Sequence, residues 1–229
     1  MSSAETKAPA GGSAAQRVLN DPVSRRKFMA LTGGTASLSI LVAACGDDDD
    51  EGTTTSSMTE ATSADDALAQ FGEGDIGIVN YALTLEYLEA DFYDQVAKSG
   101  LFKGDDLALI EKFGRSERAH VTVLTATVKD LGGTPAPQPK TQFDLADADT
   151  VLQTAADVEN LGAAAYLGQA GAIKSLDVLA AALSIHSVEG RHAAALNTLT
   201  GQTITPDGPF AAPADAQTVL DSVQPFIAS

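Results

Sequence analysis

The sequence predicts an all-α protein: a four-helix bundle with one long crossover connection and a short C-terminal extension. Four segments place apolar residues at helical spacing, and no series of alternating β-branched segments, as a sandwich or barrel needs, is present. Two connections between these segments are short and one is long. This pattern predicts two antiparallel helical hairpins joined by a chain that crosses the length of the bundle.

The ends of the helices are indicated by glycine and by loss of periodicity. The first helix begins near Asp75 and ends before Gly100, and the second ends at Gly132-Gly133. Residues 134–147 contain three prolines and no apolar period, which predicts the crossover. The third and fourth helices are predicted at about 149–173 and 176–199, with a short helix near 214–223.

Residues 1–45 are typical of an export signal. Ser24-Arg25-Arg26-Lys27-Phe28-Met29 precedes a short apolar stretch, and this arrangement resembles a twin-arginine signal. The stretch ends Leu41-Val42-Ala43-Ala44-Cys45, which resembles a bacterial lipobox whose cysteine becomes lipidated. The alternative is an ordinary signal peptide with an incidental cysteine. We expect an envelope lipoprotein on the extracytoplasmic face of the membrane, anchored through Cys45.

The remaining chain divides into three predicted parts. Residues 46–73 form an acidic and Ser/Thr-rich tether, 74–200 the bundle, and 201–229 a C-terminal tail. The formal net charge of −17 argues against nucleic acid as a partner, because phosphate binding needs clustered lysine and arginine. The single cysteine excludes an internal disulfide and thiolate metal clusters within this sequence. A homodimer remains compatible with the sequence.

Each apolar stripe carries a glutamate where the pattern calls for a hydrophobic residue: Glu86, Glu117, Glu159 and Glu189. An ionised carboxylate in a core is strongly unfavourable unless it is paired or binds a metal. Two of these glutamates have a histidine three residues later, His120 and His192, and side chains at that spacing reach one interior point. No lysine or arginine lies on the same stripes, which disfavours the alternative of buried ion pairs.

The two halves of the predicted bundle repeat this pattern. Glu86 and Glu159 are separated by the same interval as Tyr93 and Tyr166, and the two Glu-x-x-His motifs follow at nearly that interval. One glutamate from each of two helices plus Glu-x-x-His from the other two is the ligand scheme of dinuclear carboxylate proteins. Four carboxylates neutralise two divalent cations, and one imidazole completes each. The donor set predicts two iron ions, with manganese as the alternative.

The segments LEYLEADFY, SERAHVTVL, VENLGAAAY and VEGRHAAAL resemble the ferritin-like superfamily, and more closely its desiccation-related branch. The resemblance implies that Glu117 and Glu189 bridge the metals. It also implies that Glu86 with His120 completes one metal and Glu159 with His192 the other. Tyr93 and Tyr166 follow two of these glutamates by two helical turns, so they either hydrogen-bond the ligands, supply an electron, or only pack in the core.

Two functions remain open from the sequence, and a ferritin-type mineral cage, which a lipid anchor and a long tether disfavour, is a third. In the first, the chain is an oxidoreductase that reacts with dioxygen or peroxide, with ferrous ion as a further substrate and an external electron donor. In the second, it is a non-catalytic, metal-binding or stress-protective envelope lipoprotein. Two further polar residues close to the motifs, Glu89 and His186, could support the ligands, but they are interpreted as a solvated helix charge and a surface or satisfied core histidine, respectively.

Overall fold

The computed structural model describes residues 67–228, and the predicted signal, lipobox and most of the tether lie outside these residues. Four long helices make up the bundle, followed by one short helix. They are α1 (Gly74–Ser99), α2 (Gly104–Asp130), α3 (Ala148–Ala170), α4 (Leu176–Leu199) and α5 (Ala216–Val223). The chain is therefore all-α, as the sequence predicts, with helices α1 and α2 packed as one hairpin and α3 and α4 as the other.

The helix ends follow local chemistry. Gly100 ends α1 in the left-handed conformation, with φ of 79°, which favours a residue without a Cβ. Asp147 and Ser175 cap the starts of α3 and α4 by accepting hydrogen bonds from backbone N–H groups in the first turn. Helix α3 is shorter than predicted, because the chain turns at Gly171 and Ala172 instead of continuing to residue 173.

The long crossover between α2 and α3 is tied to the bundle at several points. The Asn80 side chain on α1 donates to the carbonyl of Thr134 and accepts from the N–H of Ala136. Further along, the N–H of Gln142 donates to the carbonyl of Phe226, so the crossover pairs with the C-terminal end of the chain. The crossover therefore joins α1 to the C-terminal end of the described chain.

Helix α5 and the residues before α1 cover the α1–α3 side of the bundle. Ala67 and Leu68, within the last part of the predicted tether, are buried in the same core cluster as Val219 and Val223 of α5. As a result α1 is buried on most of its surface, whereas α2 and α4 are exposed along one face. Among residues 67–228, no helix is both long and apolar enough to cross a membrane.

Candidate metal centre

Six polar side chains converge in the middle of the bundle, one or two from each long helix. The four glutamates are completely buried, His192 is buried, and His120 is nearly so. They are the six residues that the sequence singles out: Glu86 on α1, Glu117 and His120 on α2, Glu159 on α3, and Glu189 and His192 on α4. Their roles as metal ligands stay a prediction, and their convergence is observed.

The six side chains form two overlapping groups with the spacing of metal ligands. Within each group the candidate ligand atoms all lie within 4.8 Å of one another. Glu117 and Glu189 belong to both groups. Glu86 and His120 complete one of them, and Glu159 and His192 the other, so the arrangement suits two ions that share two bridging carboxylates.

The distances around His120 fit a coordination sphere better than a hydrogen-bond network. Its Nδ1 lies 2.8 Å from Glu117 Oε2, 3.1 Å from Glu189 Oε1 and 3.2 Å from Glu86 Oε2. A ring nitrogen carries at most one proton, so it cannot donate well to three oxygens. Ligand atoms about 2.1 Å from a common octahedral ion lie about 3.0 Å apart along an edge, which matches this spacing.

The second histidine repeats this geometry. His192 Nδ1 lies 3.0 Å from Glu117 Oε1 and 3.3 Å from Glu159 Oε2, without the alignment that a hydrogen bond requires. Both carboxylate oxygens of Glu189 are also buried without a partner. Buried polar atoms are seldom left unsatisfied, and here they face one another. The donor set therefore fits a pair of divalent cations.

Among residues 67–228, no lysine or arginine forms an ion pair with this cluster. In the described chain, Arg115 and Arg118 pair with the exposed carboxylates of Glu111 and Asp94, away from the site. Four carboxylates gathered in a low-dielectric core repel one another unless protons or cations lie between them.

In the metal-free chain, protons are held within the cluster. Burial raises the pKa of Glu86 to about 8, against the opposing hydrogen bond from His120. Burial lowers the pKa of the His120 imidazole, but the surrounding carboxylates of Glu117, Glu189 and Glu86 outweigh this and raise it to about 12. Burial also opposes ionisation of Glu117, yet both histidines lower its pKa. Cations entering the site would displace these protons.

The two tyrosines are hydrogen-bonded across the bundle. The Tyr93 hydroxyl on α1 donates to Glu159 Oε1 on α3 at 2.5 Å, and the Tyr166 hydroxyl on α3 donates to Glu86 Oε1 on α1 at 2.6 Å. A Cβ at Gly114 would lie 2.9 Å from the Cβ of Tyr93, so this glycine permits α2 to approach it closely. Each tyrosine thus orients the glutamate of the opposite hairpin and leaves that glutamate's second oxygen free to face the histidine.

The structure corrects the interpretation of Glu89. We expected a solvated helix charge, but Glu89 is only 3% exposed, because it follows Glu86 by one turn on the inward face. Burial and the neighbouring carboxylates raise its pKa well above the usual value. His186 is satisfied by the backbone: its Nδ1 lies 3.0 Å from the carbonyl oxygen of Ala163, and it is outside both ligand groups.

The comparisons with known proteins support the family-level part of this interpretation. Residues 74–202 match the model of the ferritin-like domain, and this region contains all four long helices and all six clustered residues. A search of curated proteins finds no match to the chain. Because the family model spans more than half of the sequence, the chain belongs to the ferritin-like domain family.

Proposed function

We propose that the chain binds two iron ions, with manganese as the alternative, and uses them to react with dioxygen or peroxide at the cell envelope. The observation that carries this proposal is the pair of overlapping Glu/His groups that share Glu117 and Glu189. An ordinary buried hydrogen-bond network would not place so many unpaired acceptors around two points. The ferritin-like fold agrees with it but does not specify the reaction.

The side chains have distinct parts in this proposal. Glu117 and Glu189 would hold both ions, and each histidine would add one neutral nitrogen to one of them. The hydroxyls of Tyr93 and Tyr166 donate to Glu159 and Glu86, the glutamates that belong to one group each, and fix the orientation of these carboxylates. Two redox-active ions bound there would supply the two electrons that convert one peroxide and two protons into two waters. An external donor, or free ferrous ion, would restore the reduced state.

The site is buried, so the proposed reaction would take place out of contact with bulk water. Phe113 packs against the His192 ring with centroids 4.4 Å apart, and Leu124 and Ile185 are buried in a core cluster between the hairpins. Apolar walls of this kind admit small, uncharged oxidants and keep larger reductants away from the ions. This favours dioxygen or peroxide over an organic substrate.

The test uses the full chain purified in detergent, loaded anaerobically with ferrous iron and then exposed to air. The wild type should bind two irons per chain and develop the near-ultraviolet absorption of protein-bound ferric iron. Glu117→Ala should lose both ions, because Glu117 belongs to both groups. The matched control is Glu111→Ala, which removes an exposed carboxylate of the same helix and should behave as the wild type.

Two outcomes would revise the proposal. Unchanged iron binding in Glu117→Ala would refute the dinuclear site. Normal binding in the wild type without oxidation faster than that of free ferrous ion would leave a metal-binding protein without this reaction. Turnover with peroxide and with dioxygen, measured separately, distinguishes the two oxidants.

The envelope location is a separate part of the proposal, and it is supported by the sequence of residues 24–45. The expressed chain should fractionate with membranes and incorporate a labelled fatty acid. Cys45→Ser should lose both properties, whereas replacing Arg25 and Arg26 together by lysine should block export. A chain that is exported but never lipidated would refute the lipid anchor, and the prediction of an export signal would still stand.

A further inference from the structure

The core of the bundle contains a narrow apolar cavity at the end where α1 begins. All four long helices contribute to its wall, which is almost entirely carbon. The centre of a water-sized sphere can move through about 20 Å³ of this space, which is room for one small molecule. A buried water needs several polar partners, so a wall of this composition suits an apolar occupant. The lining includes Val79, Ala82, Leu124, Tyr166, Val178 and Ala182.

The cavity lies close to the cluster of glutamates and histidines. Ala82 precedes Glu86 by one turn of α1, and Leu124 follows His120 by one turn of α2. One turn of an α-helix rises about 5.4 Å, so the cavity begins where the cluster ends. Tyr166 also lines the cavity, and its hydroxyl donates to Glu86 Oε1 at 2.6 Å. A molecule in the cavity would therefore contact a tyrosine that is hydrogen-bonded to a predicted metal ligand.

The internal repeat explains where the space comes from. The interval that separates the two Glu-x-x-His motifs also relates Ile110 on α2 to Ala182 on α4. Ile110 is buried in the core cluster at the opposite end of the bundle, whereas Ala182 lines the cavity. Protein interiors are closely packed, so an alanine in the place of the larger isoleucine leaves volume unfilled.

A surface cleft leads to the same place. It lies beside the residues before α1 and the turn after α3, and its lining includes Gly72, Ala172 and Lys174. Ile78 and Gln169 line both this cleft and the cavity, and both side chains are buried. These two side chains therefore separate the cavity from the solvent in the cleft, and rotation of either would admit a small molecule.

We propose that this cavity is a binding site for dioxygen, through which the oxidant passes from the cleft to the dinuclear centre. Dioxygen is small, uncharged and more soluble in hydrocarbon than in water, so an apolar wall favours it. Peroxide would lose its hydrogen bonds to water there. This inference rests on the proposed function, and of the two oxidants that the function leaves open it selects dioxygen.

The first test uses dissolved dioxygen as the probe, in the metal-free full chain in detergent with isotope-labelled methyl groups. Dioxygen is paramagnetic and speeds the nuclear relaxation of the methyl groups that it contacts. The enhancement should be several-fold larger at Val178, which lines the cavity, than at Val151, which is buried at the other end of the bundle. Ala182→Ile should lower the Val178 enhancement to the level of Val151. Ala180→Ile, the same change at an exposed position of α4, should not.

The second test measures oxidation of the ferrous-loaded chain. Ala182→Ile should bind iron as the wild type does, but its rate with limiting dioxygen should fall several-fold, because the larger side chain occupies the cavity. Its rate with peroxide should be unchanged. If Ala182→Ile fails to fold, Val178→Ala carries the test: it enlarges the cavity and should increase the relaxation enhancement at Leu124, whereas Val151→Ala should not.

The outcomes separate this inference from the proposed function. A wild type that binds no iron overturns the proposed function, and the relaxation measurement still decides whether the cavity takes up dioxygen. Equal enhancement at Val178 and Val151, in a chain that binds and oxidises iron, overturns the cavity site alone. A cavity that Ala182→Ile closes without slowing the reaction with dioxygen also overturns it, because another route would then supply the centre.

Discussion

The hydroxyls of Tyr93 and Tyr166 each bond to a glutamate of the opposite hairpin, and this pairing leads to a specific prediction about the site. Replacing Tyr93 by phenylalanine removes a buried hydroxyl that donates to Glu159 at 2.5 Å and leaves the aromatic packing in place. A hydrogen bond to a charged acceptor contributes about 1.5–3 kcal/mol, and loss of such support for a ligand typically weakens metal binding about 10- to 100-fold. Because the bond crosses the bundle, the weakened ion should be the one held by Glu159 and His192, on the hairpin that does not contain Tyr93.

The assay is anaerobic titration with ferrous iron, resolved into two binding events by calorimetry. Tyr93→Phe should lose no further affinity in a His192→Ala background, where that ion is already weakened. Tyr81→Phe is the matched control: Tyr81 is a buried tyrosine on the same helix whose hydroxyl has no hydrogen-bond partner in the described chain. Equal weakening of both ions by Tyr93→Phe, or an effect no larger than that of Tyr81→Phe, would refute the reasoning.

Three further predictions concern stability. The metal-free protein should lose stability as pH rises from about 4.5, the ordinary glutamate pKa, through about 8. The reason is that Glu86 keeps its proton in the folded protein over this range, whereas the unfolded chain releases it. Thermal melting at several pH values should show the decline, and metal loading should reduce it. Gly168→Ala should destabilise the protein by about 1–3 kcal/mol, since its Cβ would overlap the carbonyl of Ala214 before α5; urea unfolding measures this, and a neutral result would show that the tail moves freely. Asp75→Ala should lower the melting temperature by several degrees, because Asp75 accepts two backbone N–H bonds from the turn before α4; Asp177→Ala, in the first turn of α4, is the comparison variant.

The sequence contained most of the fold and the six clustered side chains. A glutamate within an apolar stripe is an unfavourable choice for a core, so four such glutamates on four helices indicate a common interior point. The end of α3 was placed too late, because Ile173 still packs in the core after the helix has ended. Apolar periodicity reports burial, and burial continues through a turn that Asp75 holds from another helix.

The rest of the site depends on how the helices are aligned with one another. Tyr93 shares a face with Glu86 on α1, yet its hydroxyl bonds to Glu159, and this pairing follows from the register between α1 and α3. Glu89 was misinterpreted for a related reason. A single helix does not show whether there is room for a fifth carboxylate, and Gly162, which provides that room, is an unremarkable residue in its own segment. Glu89 and Gly162 occupy equivalent positions in the two halves, because the interval between them is the one that separates Glu86 from Glu159.

The uneven covering of the bundle determines where the centre meets the solvent. On the α1–α3 side the cluster lies beneath α5 and the residues before α1, and its glutamates have no measurable exposure. Only the histidine side chains reach the surface, 11% exposed at His120 and 9% at His192, along the seam between α2 and α4. A cation that reached the cluster along this seam would therefore contact an imidazole before any of the four carboxylates.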